Sequence, residues 1–170
     1  LFRSMDDMMN HMEMNDVSEQ HLRQWLISQS LTIDTPATSG NTLLHGMTYL
    51  KQANNVKTLL ELGANILTKN KENTDCNFDQ TPYDLALEYF DSGTDEVLIM
   101  MVEKKCQAQQ PFTVKEIEQL KDKENFKLIS ETLSPESKGF FNQQLQITVQ
   151  PKTVCPKRQI KKARVKPTAQ

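Results

Sequence analysis

A phrase that occurs twice between residues 39 and 102 constrains the fold of this chain more than any other feature. Its first copy begins with Asn-Thr-Leu-Leu-His at residues 41–45 and ends with Leu-Leu-Glu-Leu-Gly-Ala-Asn at residues 59–65. Its second copy begins with Gln-Thr-Pro-Tyr-Asp at residues 80–84. In each copy a threonine precedes an apolar helical segment, and a second helical segment follows. Self-similarity of this kind is typical of arrays of stacked repeats.

The residue types in the phrase suit the ends of helices. Thr42 and Thr81 can cap a first helix, because a hydroxyl oxygen accepts hydrogen bonds from the free amides at a helix start. Pro82 suits the first turn, where its missing N–H group is not needed. Gly63 stands where the second helix must end, a position that favours a left-handed backbone. The phrase therefore predicts a pair of helices in each copy.

These residues resemble the ankyrin repeat, whose unit is a turn followed by two antiparallel helices. The matched positions are Thr42, Leu44, His45, Leu59, Leu60, Gly63, Ala64 and Asn65 in one copy and Thr81, Pro82, Asp84, Leu85 and Ala86 in the next. The resemblance implies an all-α fold, an ankyrin-type solenoid of stacked helix-turn-helix repeats with degenerate terminal capping helices. It also implies that His45 is structural and ties adjacent turns together by local hydrogen bonds.

Four segments follow from this interpretation. We expect a degenerate N-terminal repeat or cap in residues 1–38, and two ankyrin repeats with a long inter-repeat loop in residues 39–105. We expect a C-terminal helical cap in residues 106–146 and a basic flexible tail in residues 147–170. The two capping threonines are 39 residues apart, so the loop exceeds the family period by about six residues.

Methionines recur at helical spacing near the N-terminus and predict an adaptable core face, or alternatively a methionine-rich groove for a partner helix. Asp16 is predicted to cap the second helix, and Gln29 falls near the place where a glycine would end it. Val56, Leu59 and Leu60 are predicted to form the buried stripe of a second helix, and Leu85, Ala86 and Tyr89 to point inward. The spacing of the buried stripe is reproduced by Val97, Met100 and Met101. Further along, Val114, Ile117 and Leu120 lie on one face of a predicted helix, Phe126, Ile129 and Leu133 predict a second one, and a third carries Phe140, Phe141 and Leu145. A capping box is predicted at Thr113 and Glu116, and a short helix at Ser134. Trp25 and Tyr83 aside, no exposed aromatic set is expected.

Charge is divided unevenly along the chain. Residues 147–170 carry seven bases and no acid, which leaves thirteen bases against twenty-two acids, a net charge of −9, in residues 1–146. The bases considered as a patch are Lys157, Arg158, Lys161, Lys162, Arg164 and Lys166. They favour either a nuclear-import or polyanion-binding signal or a plain solvated linker. Binding of nucleic acid through this tail is a further, weaker possibility.

The three cysteines are widely spaced and odd in number, which indicates a reducing compartment rather than a disulfide framework. We therefore expect an intracellular protein, cytoplasmic or nuclear, or a secreted effector that acts inside a host cell. No zinc-ligand spacing, membrane-length apolar run or signal peptide is visible. No cofactor, metal or membrane partner is expected.

The resemblance implies a protein–protein interaction module, an adaptor that binds another protein through its concave face and loop tips. No nucleophile is paired with a base and no glycine-rich phosphate loop is present, so catalysis is not expected. The predicted partner-binding residues are Asn41, Gly46, Tyr49, Lys69, Lys71, Asp79, Glu88 and Phe90. The missing initial Met, the Asn-, Lys- and Gln-rich composition and the basic tail resemble ankyrin-bearing effector proteins of intracellular bacteria. That resemblance implies the alternative, the recognition arm of a larger, nuclear-targeted bacterial effector enzyme whose catalytic domain lies outside this chain.

Overall fold

The computed structural model describes residues 3–70, 79–89, 96–122 and 126–149, except for the side chains of residues 147–149. Within these ranges the chain is all-α, and no residue is in a strand. The helices are α1 (Met5–Met14), α2 (Glu19–Gln29), α3 (Leu43–Tyr49), α4 (Ala53–Glu61), α5 (Pro82–Tyr89), α6 (Glu96–Gln107), α7 (Val114–Lys121), α8 (Phe126–Thr132) and α9 (Pro135–Val149). The predicted all-α class is confirmed.

The first six helices and α7 lie in two layers. In the inner layer α1 packs on α3, α3 on α5 and α5 on α7, and in the outer layer α2 packs on α4 and α4 on α6. The Asp6 carboxylate near the start of α1 accepts hydrogen bonds from Thr38, which shortly precedes α3. At the opposite end the rings of Tyr49 and Tyr89, the last residues of α3 and α5, are in contact. Helices α1, α3 and α5 therefore run in the same direction, and α8 and α9 pack on α6.

Side-chain caps begin several helices where the sequence predicts them. Thr42 accepts a hydrogen bond from the His45 amide while the His45 ring accepts one from the Thr42 amide. Thr81 and Asp84 exchange hydrogen bonds in the same way, and Thr113 with Glu116 forms the predicted capping box. The prediction that Asp16 caps α2 was wrong.

Ser18 caps α2, because it is the residue whose hydroxyl accepts from the His21 amide. The Asp16 carboxylate instead accepts a hydrogen bond from the Asn54 side chain, 2.8 Å away, on α4. Asp16 thus connects the α1–α2 turn to the next helical pair rather than starting a helix.

Four helices end in the same hydrogen-bonded turn. Ser30, Lys51, Gly63 and Gln109 each have a positive φ, from 50° to 88°. In each case the left-handed residue donates to the carbonyl three residues back and the following residue donates to the carbonyl five residues back, which is the Schellman arrangement. Gly63 was predicted to have this conformation, and it does. At the end of α2 Ser30 has this conformation, so the helix ends without a glycine.

Buried apolar side chains fill the space between the two layers. Met5, Met8 and Met12 are buried, which agrees with a core face rather than an open groove, and Val56, Leu59 and Leu60 are buried as predicted. The prediction that Tyr89 points inward was wrong, because it is exposed, and Met100, which shares the spacing of the buried stripe, is only partly buried. Trp25 and Tyr83 are buried, not exposed. A helical period identifies residues that share a stripe, but in a layered fold the neighbours on both sides decide which stripe is covered.

Two contacts fix the N-terminal helices on the rest of the molecule. The buried Asn55 side chain accepts from the Val17 amide at 2.9 Å and donates to the carbonyls of Met12 and Asn15 at 2.7 and 2.9 Å. Gly46 lies against Met9 of α1, whose sulfur would be 2.9 Å from a Cβ at that position. Both contacts hold α1 and its turn closely against α3 and α4.

The C-terminal helices depart from the predicted boundaries. Helix α6 continues to Gln107 and so runs through the boundary predicted at residues 105–106. Helix α9 has 15 residues, rather than being short, and runs through the boundary predicted at residues 146–147. Phe141 is buried, and Phe140 and Leu145 pack at the edge of the core. No helix in the described ranges has the length and apolarity needed to cross a membrane.

Candidate functional site

Two tyrosines form an exposed aromatic pair at the ends of neighbouring inner helices. The Tyr49 and Tyr89 ring centroids are 5.6 Å apart with the rings at 78°, an edge-to-face contact. The two residues are nevertheless 58% and 37% exposed. An aromatic pair that is held in place by helix packing and open to solvent offers a large, preordered contact area. We call these two residues the tyrosine pair.

A groove lies beside the tyrosine pair, between α5 and α7. Its volume is about 400 Å³, and it is lined by Gln80, Asp84, Leu87, Glu88, Lys115 and Gln119. The Glu88 carboxylate accepts a hydrogen bond from Gln80 Nε2 at 2.6 Å. Asp84 accepts from both the backbone amide and the hydroxyl of Thr81. The acidic side chains of this groove, which we call the α5–α7 groove, are therefore fixed in position by their neighbours.

His45 connects consecutive helical pairs, as the resemblance implies. Its Nδ1 lies 2.8 Å from the Thr42 hydroxyl, and its Nε2 lies 3.1 Å from the carbonyl oxygen of Gln80, just before α5. Burial lowers the pKa of His45, and the hydrogen bond to Gln80 opposes this shift only in part. A neutral imidazole with both nitrogens occupied is a structural connector.

The loop residues near this connection also hold each other. Asn70 donates from its backbone to the Gln80 carbonyl and from its side chain to Asn41 at 3.1 Å. Lys69 pairs with Asp79 at 3.3 Å, with both side chains largely exposed. The described ends of the loop between α4 and α5 are thus drawn together and held next to the start of α3.

A buried lysine joins the C-terminal helices to α6. Lys105 pairs with Glu116 of α7, and the two side chains are 6% and 13% exposed. The Lys105 ammonium also lies 4.4 Å from the ring centroid of Tyr83 and 5.1 Å from that of Phe112, which are cation–π contacts. Burial raises the pKa of Tyr83 well above its usual value, so its ring remains neutral. This cluster is enclosed and serves the packing of α6, α5 and α7.

Among the described residues, Cys106 is a buried thiol, and no group of side chains is arranged as metal ligands. Burial raises the pKa of the Cys106 thiol to about 12, so the reactive thiolate is scarce at neutral pH. No three His, Cys, Asp or Glu side chains are grouped as metal ligands among the residues described. A second depression, of about 390 Å³ beside Cys106, is lined mainly by polar side chains around the start of α9.

The structure brings together only some of the predicted partner-binding residues. Tyr49 and Glu88 lie on or beside the surface formed by the tyrosine pair and the α5–α7 groove. The base of the loop between α4 and α5 holds Asn41, Lys69 and Asp79. Lys71 and Phe90 lie outside the described residues, as do the tail bases Lys157, Arg158, Lys161, Lys162, Arg164 and Lys166.

Gly46 is partly exposed, and it also packs against Met9 of α1, which lies where a Cβ at this position would be. Sequence reasoning missed Tyr89, Gln80, Asp84 and Lys115 as members of the surface. Tyr89 was detectable, since both tyrosines come seven or eight residues after a capping threonine, at Thr42 and Thr81.

Comparison of the chain with protein-family models, with curated proteins and with solved structures finds no significant match.

Proposed function

We propose that this chain is a non-catalytic protein-interaction module with an ankyrin-type solenoid scaffold. The exposed tyrosine pair carries the proposal. Tyrosine supplies large contact area at low conformational-entropy cost, and here both rings are already held by packed helices. Its binding surface is the tyrosine pair with the adjacent α5–α7 groove.

Several features support the scaffold part of the proposal. The left-handed residues that end α2 and α4, Ser30 and Gly63, are 33 residues apart, which is the ankyrin period. The inner helices α1, α3 and α5 run in one direction, with the outer helices packed behind them. His45 bonds within its own turn and to the next helical pair. An array in which each pair contacts its neighbours presents a continuous surface along one layer.

A site-specific cross-linking experiment tests the function. The photoreactive residue p-benzoylphenylalanine replaces Tyr49 in one variant and Ile27 in a matched control. Ile27 is 72% exposed on α2, in the outer layer. In the cells from which the sequence derives, light should produce a discrete adduct with a partner protein at position 49 and none at position 27.

Loss of the position-49 adduct on adding Tyr89→Ser would tie that partner to the tyrosine pair. Adducts of equal yield at positions 49 and 27, or none at position 49, would contradict the proposed function.

A further inference from the structure

The last turn of α5 has different chemistry on its two sides. On one side Tyr89 contacts Tyr49 of α3, and on the other Glu88 lines the groove against α7. The two residues are consecutive, so their Cα atoms are only about 3.8 Å apart. A ligand that crosses this turn therefore contacts both an aromatic surface and a carboxylate.

The α5 wall of the groove is rich in hydrogen-bond acceptors. Glu88 and Asp84 are one turn apart, and each carboxylate has about four lone-pair positions, of which the described contacts use one or two. Both residues are exposed and line the groove, so the wall favours a ligand with several N–H groups.

The charge of the surroundings also favours a cation. Two carboxylates in the groove face one ammonium, that of Lys115 on the α7 wall. Residues 1–146 together carry a net charge of −9, which attracts basic segments over longer distances. Lys115 is the opposing group, and its removal should strengthen binding of a cation.

We propose that this surface binds a segment of a partner protein in which an arginine lies within about three residues of a large apolar side chain. The guanidinium occupies the α5–α7 groove, and the apolar side chain lies on the tyrosine pair. Arginine fits better than lysine because its planar group carries five N–H donors in a fixed fork that matches carboxylates. This inference rests on the proposed function, since it specifies the partner of the same surface.

Selection from a library of random twelve-residue peptides displayed on phage, against the immobilised full chain, tests the proposal. The selected peptides should be enriched in arginine beside Leu, Ile, Met or an aromatic residue. A synthetic peptide with the selected consensus is then titrated by calorimetry. Replacing its arginine by lysine should weaken binding about fivefold or more.

Two exposed groove residues give effects of opposite sign. Glu88→Gln should weaken binding of the consensus peptide about tenfold, because a charge-assisted hydrogen bond is lost. Lys115→Gln should strengthen it about twofold to threefold, because a repelling ammonium is removed. The matched control is Glu61→Gln on α4, an exposed residue of the outer layer, which removes the same charge outside the groove. It should leave binding unchanged, and circular dichroism should show that all variants are folded.

Four outcomes would overturn the inference. Peptides selected without arginine enrichment, or equal binding by the Glu88→Gln and Glu61→Gln variants, would overturn it while leaving the interaction function standing. Arginine peptides that bind only after the six bases of residues 157–166 are replaced by glutamine would show that the chain's own tail occupies the groove. Failure to select any peptide would overturn it too, and together with absent cross-linking at position 49 it would contradict the proposed function itself.

Discussion

Leu59 on α4 and Lys105 on α6 occupy equivalent positions in two outer helices, yet they are buried in different ways. In both helices the residue four positions later is left-handed, and the residue five positions later donates a 3.0 Å hydrogen bond to the carbonyl of Leu59 or Lys105. Leu59 is fully buried among apolar side chains. Lys105 is buried against two aromatic rings and the carboxylate of Glu116.

The difference shows two ways in which an outer helix can hold the helices that follow it in the chain. An apolar side chain such as Leu59 requires only a complementary shape, which many neighbours can provide. A buried ammonium requires a carboxylate at one place, so Lys105 specifies where α7 must lie on α6. The first kind of contact is visible in a hydrophobic pattern. The second depends on a residue from another helix, and no periodicity reveals it.

The largest effect is expected on breaking the charged contact. Glu116→Gln keeps a residue suited to the capping box with Thr113 but leaves the Lys105 ammonium buried without a counter-charge. The free energy of unfolding should fall by about 3–5 kcal/mol, measured by urea denaturation.

Two controls separate the charge from the helix. Glu118→Gln, at an exposed position of α7, should change stability by less than about 0.5 kcal/mol. Adding Lys105→Met to Glu116→Gln removes both charges and should return stability to within about 1 kcal/mol of the parent. If Glu116→Gln unfolds no more easily than Glu118→Gln, the pair does not anchor α7.

Leu59→Ala tests the apolar member of the comparison. The substitution removes a fully buried side chain and leaves a cavity, which should cost about 2–5 kcal/mol in urea denaturation. The exposed neighbour Lys57→Ala on the same helix is the control and should have little effect. Stability close to that of the parent would mean that this stripe does not face the core.

A reciprocal exchange at the two helix ends sharpens the comparison. Gly63→Gln should cost about 1–2 kcal/mol, because φ is +88° and a Cβ there meets no atom within 4 Å, so strain alone acts. Gln109→Gly should stabilise by up to about 1 kcal/mol, because glycine adopts a positive φ without strain. Thermal unfolding of the two variants would show effects of opposite sign. Effects of the same sign would mean that the two ends are not equivalent.

The smallest expected effect is the part of the pH dependence of stability that comes from the buried imidazole of His45. Burial lowers the pKa of the folded-state imidazole, and the unfolded chain has a pKa of about 6.5. As pH falls below about 6.5 the unfolded state takes up a proton that the folded state does not, so stability should decrease, by less than about 1.4 kcal/mol for each pH unit. In His45→Gln this part of the dependence should disappear. Urea denaturation at pH 7.5 and 5.5 measures the difference, and parallel decreases in both proteins would contradict it.

Sequence reasoning identified the all-α class and the local signals at helix ends, because these depend on a few adjacent residues. Thr42 and Thr113 cap helices through their own hydroxyls, and Gly63 adopts the left-handed conformation that favours it. Ser30 and Gln109 adopt the same conformation without being glycine. A rule that relies on glycine therefore finds only one of these three outer-helix ends.

The candidate site was less predictable, because it depends on contacts between helices distant in sequence. Tyr49 was identified, but Tyr89 was expected to point inward, and its exposure follows from the way α3 packs beside α5. Gly46 was expected to contact a partner, and its packing against Met9 of α1 was not visible from the sequence. The pairing of Lys105 with Glu116 likewise joins residues of two helices.

Asn55 fixes the position of the N-terminal helical hairpin, α1 and α2, relative to α4. Its amide has one oxygen and one NH₂ group, and the turn between α1 and α2 engages both. A shift of that hairpin by one residue would break all three hydrogen bonds and leave buried polar groups without partners. Residues inserted into the loop at positions 31–36 should therefore bulge into solvent, while the hairpin keeps its position against α4.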